Sequence, residues 1–462
     1  MLILITAQGG YAQQTDNALG KRAPLAQEPT SFGVETSGGT SDLPESMGWI
    51  IVDTMHNTYS TALSTLNPLA YDPASNMVAL VHRSTGGYAT SSYEIWYNIS
   101  TNRGVNWKRV PKAINHAIIL KMGRYPSMAI SNPNDEPVNK TTGLFVWGDI
   151  IPGWTTYAAG FGTDFPLGNA TPSSFIDNSI PYGFMNTAWC SSNTPWMFWT
   201  ACYLTNPGIK LFRKRNLVSV DTLSPPAWSS AVFQDNGSVP GGGASAPDGT
   251  LYFAVVGSFV PPDSGNPIVS GWFPGVSRST DNGATWGSFE VIDFRQIPAL
   301  RDYDRLFDYI KGDSFVQYNC DINVDKYNHP HLLISVTDTI GNANSGTNAL
   351  VEIFKNSEGQ WDGKVIYSGI PDNAFRLNGP AVGQMGPSGY LSMDKTRNIM
   401  VAQWVTPVQD DSICDILMSW RKVDDLTWSA PINITNTPGM NENNSHLAPY
   451  LAGGESQGYV TA

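Results

Sequence analysis

The strongest constraint in this 462-residue chain is a recurring unit in which an apolar strand runs into a polar turn and a more apolar strand leaves it. Copies read LAYDPASNMVALVHR around Asp72, SMAISNPNDEPVNKTTGLFVWG around Ser131, GGASAPDGTLYFAVVG around Asp248, CDINVDKYNHPHLLISV around Asp325 and YLSMDKTRNIMVAQWV around Asp394. An Asp or Asn at such a turn bonds to backbone two residues on, and a following Gly or Asn tolerates positive φ, so each copy reads as a β-hairpin. NTAWCSSNTPWMFWTACYL supplies a further copy near residue 190, which brings the spacing to about 64 residues. No stretch has a defensible helical period, while 44 Gly, 32 Pro and 52 aromatic residues (15 Trp, 19 Tyr, 18 Phe) suit short strands and many turns. A repeat of that length made of strands implies one four-stranded sheet per copy. Such sheets bury their faces by closing radially, and the expected fold is an all-β propeller.

Six onsets run from Asp72 to Asp394, and a seventh is visible in HLAPYLAGGESQGYVTA around Gly454. Seven blades are preferred to six; the seventh would need strands from beyond Ala462 or from Trp49–Thr54, so residues 48–462 read as one propeller truncated at its C-terminal side. In a six-bladed ring the same tail would close the circle. Residues 15–47, rich in Pro, Gly, Ser and Thr and without periodicity, read as an extended arm or linker. The first fourteen, MLILITAQGGYAQQ, resemble the end of an exported bacterial signal peptide, which predicts a secreted or cell-surface location.

Charged residues make up 14% of the chain and the net charge is −12, so a phosphate backbone or an anionic membrane is repelled on average and no nucleic-acid partner is expected. No run of apolar residues is long enough for a membrane-spanning helix. Among the four cysteines, Cys190 and Cys202 flank a hairpin-like stretch and are the expected disulfide pair; Cys320 and Cys414 read as buried thiols. None has CxxC spacing, and no metal site is expected. His329 and His331 share one side of an extended stretch near Asp325 but read as structural. The Asp/Asn-rich turns, Asn323 to Asn328 above all, leave calcium as a conceivable cofactor and suggest no other.

One motif narrows the fold further. Ser279, Asp281, Gly283 and Trp286 match Ser/Thr-x-Asp-x-Gly-x-x-Trp in full, and Ser100, Asn102, Gly104 and Trp107 repeat it with Asn for Asp. Eroded versions sit at 356–361 and 424–428. The chain thereby resembles the sialidase-like Asp-box (BNR-repeat) β-propellers, exported bacterial members in particular. The resemblance covers about 50–462 and implies that these octapeptides are structural turns on outer hairpins. Sialidases of that family carry an arginine triad, a Tyr nucleophile partnered by Glu, and an Asp acid. Their Phe/Tyr-Arg-Ile-Pro signature is met only by Phe294-Arg295-Gln296-Ile297-Pro298, with one residue inserted and the wrong place relative to the motif. The catalytic motifs are therefore not matched. If the chain is an enzyme, the candidates are Arg295 with Tyr303, Asp304 and Asp308 of the charged run DYDRLFDYIKGD.

The expectation is a non-enzymatic exported propeller that binds a protein or a glycan at a cell surface or in an extracellular assembly, homo-oligomers included. Low charge with many Asn, Thr, Ser, Tyr and Trp suits hydrogen bonding and stacking, and residues 154–186 read as a long contact loop. The alternative is a glycoside hydrolase of the same fold with a non-standard site, which paired carboxylates converging on the central funnel would reveal.

Overall fold

The computed structural model describes residues 3–7, 50–55, 66–83, 94–116, 123–150, 157–182, 187–202, 209–215, 220–223, 228, 239–259, 271–306, 320–338, 348–370, 389–407, 414–436 and 445–451. These form six antiparallel sheets of four strands in simple up-and-down order, with the core of the protein between consecutive sheets. Blade 1 is Leu69–Asp72, Met77–Arg83, Ile95–Ser100 and Lys108–Arg109; blade 2 is Gly123–Ser131, Thr142–Ile150, Tyr157–Asp164 and Ser173–Tyr182. Blade 3 is Thr187–Cys190, Trp196–Cys202, Ile209–Arg215 and Val220–Leu223; blade 4 is Val239–Ser245, Leu251–Phe259, Gly271–Ser279 and Glu290–Val291. Blade 5 is Cys320–Val324, Pro330–Thr337, Asn348–Lys355 and Trp361–Ile370, with Arg305–Leu306 added on its edge, and blade 6 is Tyr390–Met393, Ile399–Pro407, Cys414–Lys422 and Ile432–Asn433. The six predicted copies thus each open one blade.

Seven blades were expected and six are present. The seventh copy contributes residues 445–451, which lie between blades 6 and 1: Leu447 and Leu451 pack on Tyr390, Val401 and Met418, while Ala448 and Tyr450 pack on Leu69, Tyr71, Val78 and Leu80. The tail therefore closes the ring. Ile50–Met55 pairs in parallel with Ile3–Ala7 and docks on blade 1, where Asn98 donates to the Val52 carbonyl and Asp53 meets His82 and Arg109.

Two further expectations are corrected. Residues 154–186 are not a contact loop, because Tyr157–Asp164 and Ser173–Tyr182 are the outer strands of blade 2, carried by alternating apolar positions such as Phe161 and Phe175. Cys190 and Cys202 do not pair: Cys190 lies opposite Met197, five positions from Cys202 on the same strand, a separation of about 16 Å where a disulfide needs its Cα atoms within about 7 Å. Cys190 is a free thiol whose pKa burial pushes up to about 12.

The two octapeptides close their turns alike. Oδ1 of Asp281 or Asn102 accepts the N–H four residues on at 2.9 Å, the preceding serine hydroxyl accepts the glycine N–H, and the Trp indole donates to the glycine carbonyl. Gly283 and Gly104 need their φ of 75° and 80°, which a side chain would strain. Both turns join the third and fourth strands of their blades.

Blade interfaces are mostly apolar. Trp189 of blade 3 lies flat against Gly243 of blade 4, where an added Cβ would come within 2.2 Å of the ring, and stacks on Phe198 and Phe253. Blades 5 and 6 share an apolar cluster too, Leu333 and Leu350 against Leu391, Trp404 and Leu417, and are pinned in addition by buried charge. His331 sits between Asp325 (3.2 Å) and Glu352 (2.6 Å), and Glu352 also accepts from Arg421 of blade 6 (2.5 and 3.0 Å) and from the Trp428 indole. Burial alone would raise the Glu352 pKa, but His331 and Arg421 outweigh it and hold the carboxyl at about 2. Burial likewise opposes the charged form of His331, yet its two carboxylate partners raise its pKa.

These two groups bind stability to pH with opposite signs. The Glu352 contribution is complete above the usual 4.5 and is lost as pH falls through about 2; that of His331 is complete below the usual 6.5 and is lost as pH rises through its raised value. Glu352→Gln, which leaves Arg421 and His331 buried and under-paired, is expected to destabilise the fold by about 3–5 kcal/mol. In thermal melts its deficit against wild type should be widest near pH 5–6 and shrink towards both acid and alkali. Gly243→Ala should destabilise by about 1–3 kcal/mol through the Trp189 clash, measured by denaturant titration.

Candidate functional site

The first strands of the blades line the propeller axis and enclose a cavity of about 630 Å³, whose rim includes the turns after these strands. The rim is built by the Asp or Asn hairpins already visible in the sequence. Asp72 accepts the Ser75 N–H and the Asn132 side chain of blade 2, and Asn193 of blade 3 donates to the Pro247 carbonyl of blade 4. Asp308 of the charged run lies outside the described residues.

Inside, one side chain gathers most of the ring. Arg397, in the first turn of blade 6, donates through Nη1 to the carbonyls of Ser245 (blade 4) and Val324 (blade 5), and through Nη2 to Ser192 Oγ (blade 3) and to the Tyr450 hydroxyl of the closing segment. It is 7% exposed and, among the described residues, faces no carboxylate within ion-pair distance. Its four terminal N–H groups are all committed, so it has no fork left for a ligand carboxylate. The other cations of the rim are paired: Lys326 with Asp424 (2.6 Å) and Lys395 with Asp135 (3.4 Å).

Asp321 is the distinctive acid of the cavity wall. It stands second in Cys320–Val324 and accepts the Ile322 N–H at 2.9 Å and the Leu391 N–H of blade 6 at 2.7 Å. Burial pushes its pKa up to about 7, the two N–H bonds only partly opposing, so near neutrality it is poised between acid and base. Two other groups of the lining, Asn67 Oδ1 and Trp189 Nε1, are buried with no hydrogen-bond partner among the described residues. The wall thus presents a titratable carboxyl, with no unpaired cation beside it among the described residues.

The residues singled out from the sequence lie elsewhere. Arg295 occupies a short 3₁₀ turn, Phe294–Gln296, after the last strand of blade 4; Asp293 grips its guanidinium at 2.6 and 2.7 Å and its face stacks on Phe273. The bonds to Asp293 raise its pKa. Tyr303 packs half-buried against the apolar core between blades, and Asp304 is exposed, its N–H donating to the Thr337 carbonyl. None of these three lines the axial cavity. Sequence reading missed Asp321 because an acid in an inner strand resembles any turn-flanking Asp. The available signal was its place second in an inner strand, where blades 1, 3 and 6 carry Ala70, Ala188 and Leu391.

No group of three or more His, Cys, Asp or Glu that could hold a metal ion is found among the described residues, and none of their helices is long and apolar enough to cross a membrane. His331, the nearest approach to a ligand set, has both ring nitrogens against carboxylates.

No protein-family model matches the chain, and no curated protein does. Solved structures that it resembles are β-propellers. They include an α-L-arabinofuranosidase from Fusarium graminearum (8% identity, 78% of this chain and 94% of that one, TM-score 0.41). A luciferin-regenerating enzyme aligns at 9% identity over 81% and 95% (TM-score 0.39), and an endo-arabinanase from Bacillus licheniformis at 15% over 64% and 97% (TM-score 0.31). At these values the likeness assigns no role to any residue here.

Proposed function

We propose that the chain is an exported propeller of the sialidase-like Asp-box kind whose axial cavity takes a neutral carbohydrate, and that it is a glycoside hydrolase with Asp321 as the proton donor. The observation that carries this reading is the Asp321 carboxyl on the cavity wall with its pKa near 7. A general acid must hold its proton at working pH and give it up to a leaving oxygen, and burial is the device that permits both. The cavity has the volume of a small-molecule site. A carboxylate sugar is disfavoured, because Arg397 has no N–H of its fork to spare and a chain of −12 net charge adds no attractive long-range field.

The rival is a binding module without turnover. One observation favours it: glycoside cleavage ordinarily needs two carboxyls, and the other two in the cavity lining, Asp72 and Asp135, are tied to a turn and to Lys395.

The two readings part in one experiment. Hydrolysis should appear with some member of a panel of neutral p-nitrophenyl glycosides, with kcat falling as pH rises through about 7 because the acid loses its proton. Asp321→Asn should lower kcat by about 10²–10⁴-fold while leaving KM nearly unchanged. It should also gain stability relative to wild type above pH 7, where wild type buries a carboxylate, which a melt at about pH 8 reads directly. Saturable sugar binding with no turnover on any substrate would leave the binding module. A second outcome is expected for the sequence-derived candidate: no release from a fluorogenic sialoside, and Arg295→Ala without effect on glycan binding or turnover, since its guanidinium is bound to Asp293 and lies away from the axial cavity.

A further inference from the structure

Two side chains of a single turn reach across the rim of the axial cavity. The turn at 394–398, after the first strand of blade 6, carries Lys395 and Arg397, and both line the cavity. Arg397 spans one side: its guanidinium is bonded to Ser245 and Val324, which end the inner strands of blades 4 and 5, and to Ser192 just past that of blade 3. Lys395 spans the other. Its Nζ lies 3.4 Å from Oδ2 of Asp135, in the turn after the first strand of blade 2, so the pair crosses the rim in front of blade 1. Asp321 stands three residues before Val324 in the same strand, about 10 Å deeper at about 3.3 Å per residue.

The two crossings differ in what holds them. Arg397 is buried and fixed by four hydrogen bonds, the fourth to Tyr450. Lys395 and Asp135 have side chains 59% and 70% exposed and meet in one contact, so water and salt compete for both charges. The Asp135 end is braced: Asn132 accepts the Glu136 N–H and donates to the Glu136 carbonyl and to Asp72 of blade 1, while Glu136 pairs with Lys140. The Lys395 end is a four-carbon stem whose Nζ has no second partner among the described residues. Movement at this crossing is therefore rotation of an exposed lysine side chain, which is fast.

We propose that the Lys395–Asp135 pair is a gate that sets the size of ligand admitted from the rim to Asp321, with Arg397 as the fixed bar opposite it. The inference rests on the axial cavity being the ligand site, and not on the chemistry assigned to Asp321. With the pair closed, a ligand passes between two arms that rise from the same turn, and only a small one fits. With the pair open, the rim beside blades 1 and 2 is clear. An exposed ion pair biases such an equilibrium by a small factor, so the gate opens often and opens more in salt.

Entry is measured without a substrate, so absence of turnover leaves the test intact. The full chain carrying Asp321→Cys is treated with two uncharged methanethiosulfonates, methyl and benzyl, and modification at position 321 is followed by peptide mapping, which separates it from the native cysteines. The benzyl reagent should react about 2–5-fold faster when Lys395→Ala is added, and the parent rate should rise similarly between about 0.05 and about 0.5 M salt while the variant's does not. The methyl reagent should respond little to either change. Exchanging the charges, Lys395→Asp with Asp135→Lys, should restore slow, salt-dependent entry. Equal benzyl rates with and without Lys395→Ala would overturn the proposal, because the probe then reaches the cavity without passing the pair. A parent rate indifferent to salt would overturn the ion pair as the gate. Should Asp321→Cys fail to fold, Cys190, a partly exposed thiol of the cavity lining, gives the same comparison in a chain that keeps Asp321.

Discussion

The ring depends on how its inner strand edges are satisfied. Each blade begins with a strand whose outer edge is paired and whose inner edge faces the axis, so six rows of backbone groups converge on the axial cavity. Arg397 answers part of this by donating to carbonyls of blades 4 and 5, to a hydroxyl of blade 3 and to the tyrosine of the closing segment. A buried carbonyl left unpaired costs about 1–3 kcal/mol, and a guanidinium is the side chain that satisfies several at once from one stem. Its φ of 57° is shared with Asn76 and Asn328 at the matching turns of blades 1 and 5. Those copies carry asparagine, whose side chains accept from Tyr71 and Arg103 (Asn76) and from the Asp248 N–H (Asn328); blade 6 accepts the strain of an arginine there and gains a cross-axis anchor.

The remaining inner edges are served by neighbours in the same manner. Asp321 accepts from Leu391, Asn323 donates to Pro449, and Ser127 accepts the N–H of Asn67. Each bond joins elements far apart in sequence, which ties cavity geometry to ring closure. Outward from the axis the interfaces separate into two kinds. Blades 3 and 4 meet through stacked aromatics over a bare glycine, which permits close approach; blades 5 and 6 add to their apolar contact the Asp325, His331, Glu352 and Arg421 chain, whose members neutralise one another. The second arrangement is favourable only with every member in place and correctly protonated, which makes that interface the pH-sensitive one.

The hairpin grammar was legible because its signals are local: an Asp or Asn, a residue able to take positive φ, and apolar runs on both sides. The same locality made the two octapeptides readable down to the serine, glycine and tryptophan that close them. What failed required knowledge across the sheet. Cys190 and Cys202 look like a bridged pair in sequence, and only the register, with Cys190 opposite Met197, separates them. Residues 154–186 look like an insertion because small residues such as Gly160 and Gly162 weaken a strand pattern; those glycines are there to admit Trp147 and Ile114, which an added Cβ would strike. The blade count failed because a strand sandwiched at a seam and a strand that opens a blade have the same composition. At the site, Arg295 carried a recognisable signature and proved to be an ion pair with Asp293 away from the axis, whereas Asp321 carried none.

That asymmetry bears on what Asp321 is for. As a cap for the Leu391 N–H, an asparagine would serve as well, and it would add no charge to a wall already crowded by the inner strands. A carboxyl in that place is costly. With its folded pKa near 7 and an unfolded value near the usual 3.8, the native state holds a proton that the unfolded chain has released, so this residue subtracts stability progressively as pH rises between those values. A structural account explains the two N–H bonds but not the choice of an acid over an amide. A chemical account explains the choice, because only the acid can deliver a proton and take it back, and only burial keeps it protonated where an exposed aspartic acid would be ionised. The stability that the fold gives up at Asp321 is the cost that the proposed role as proton donor would account for.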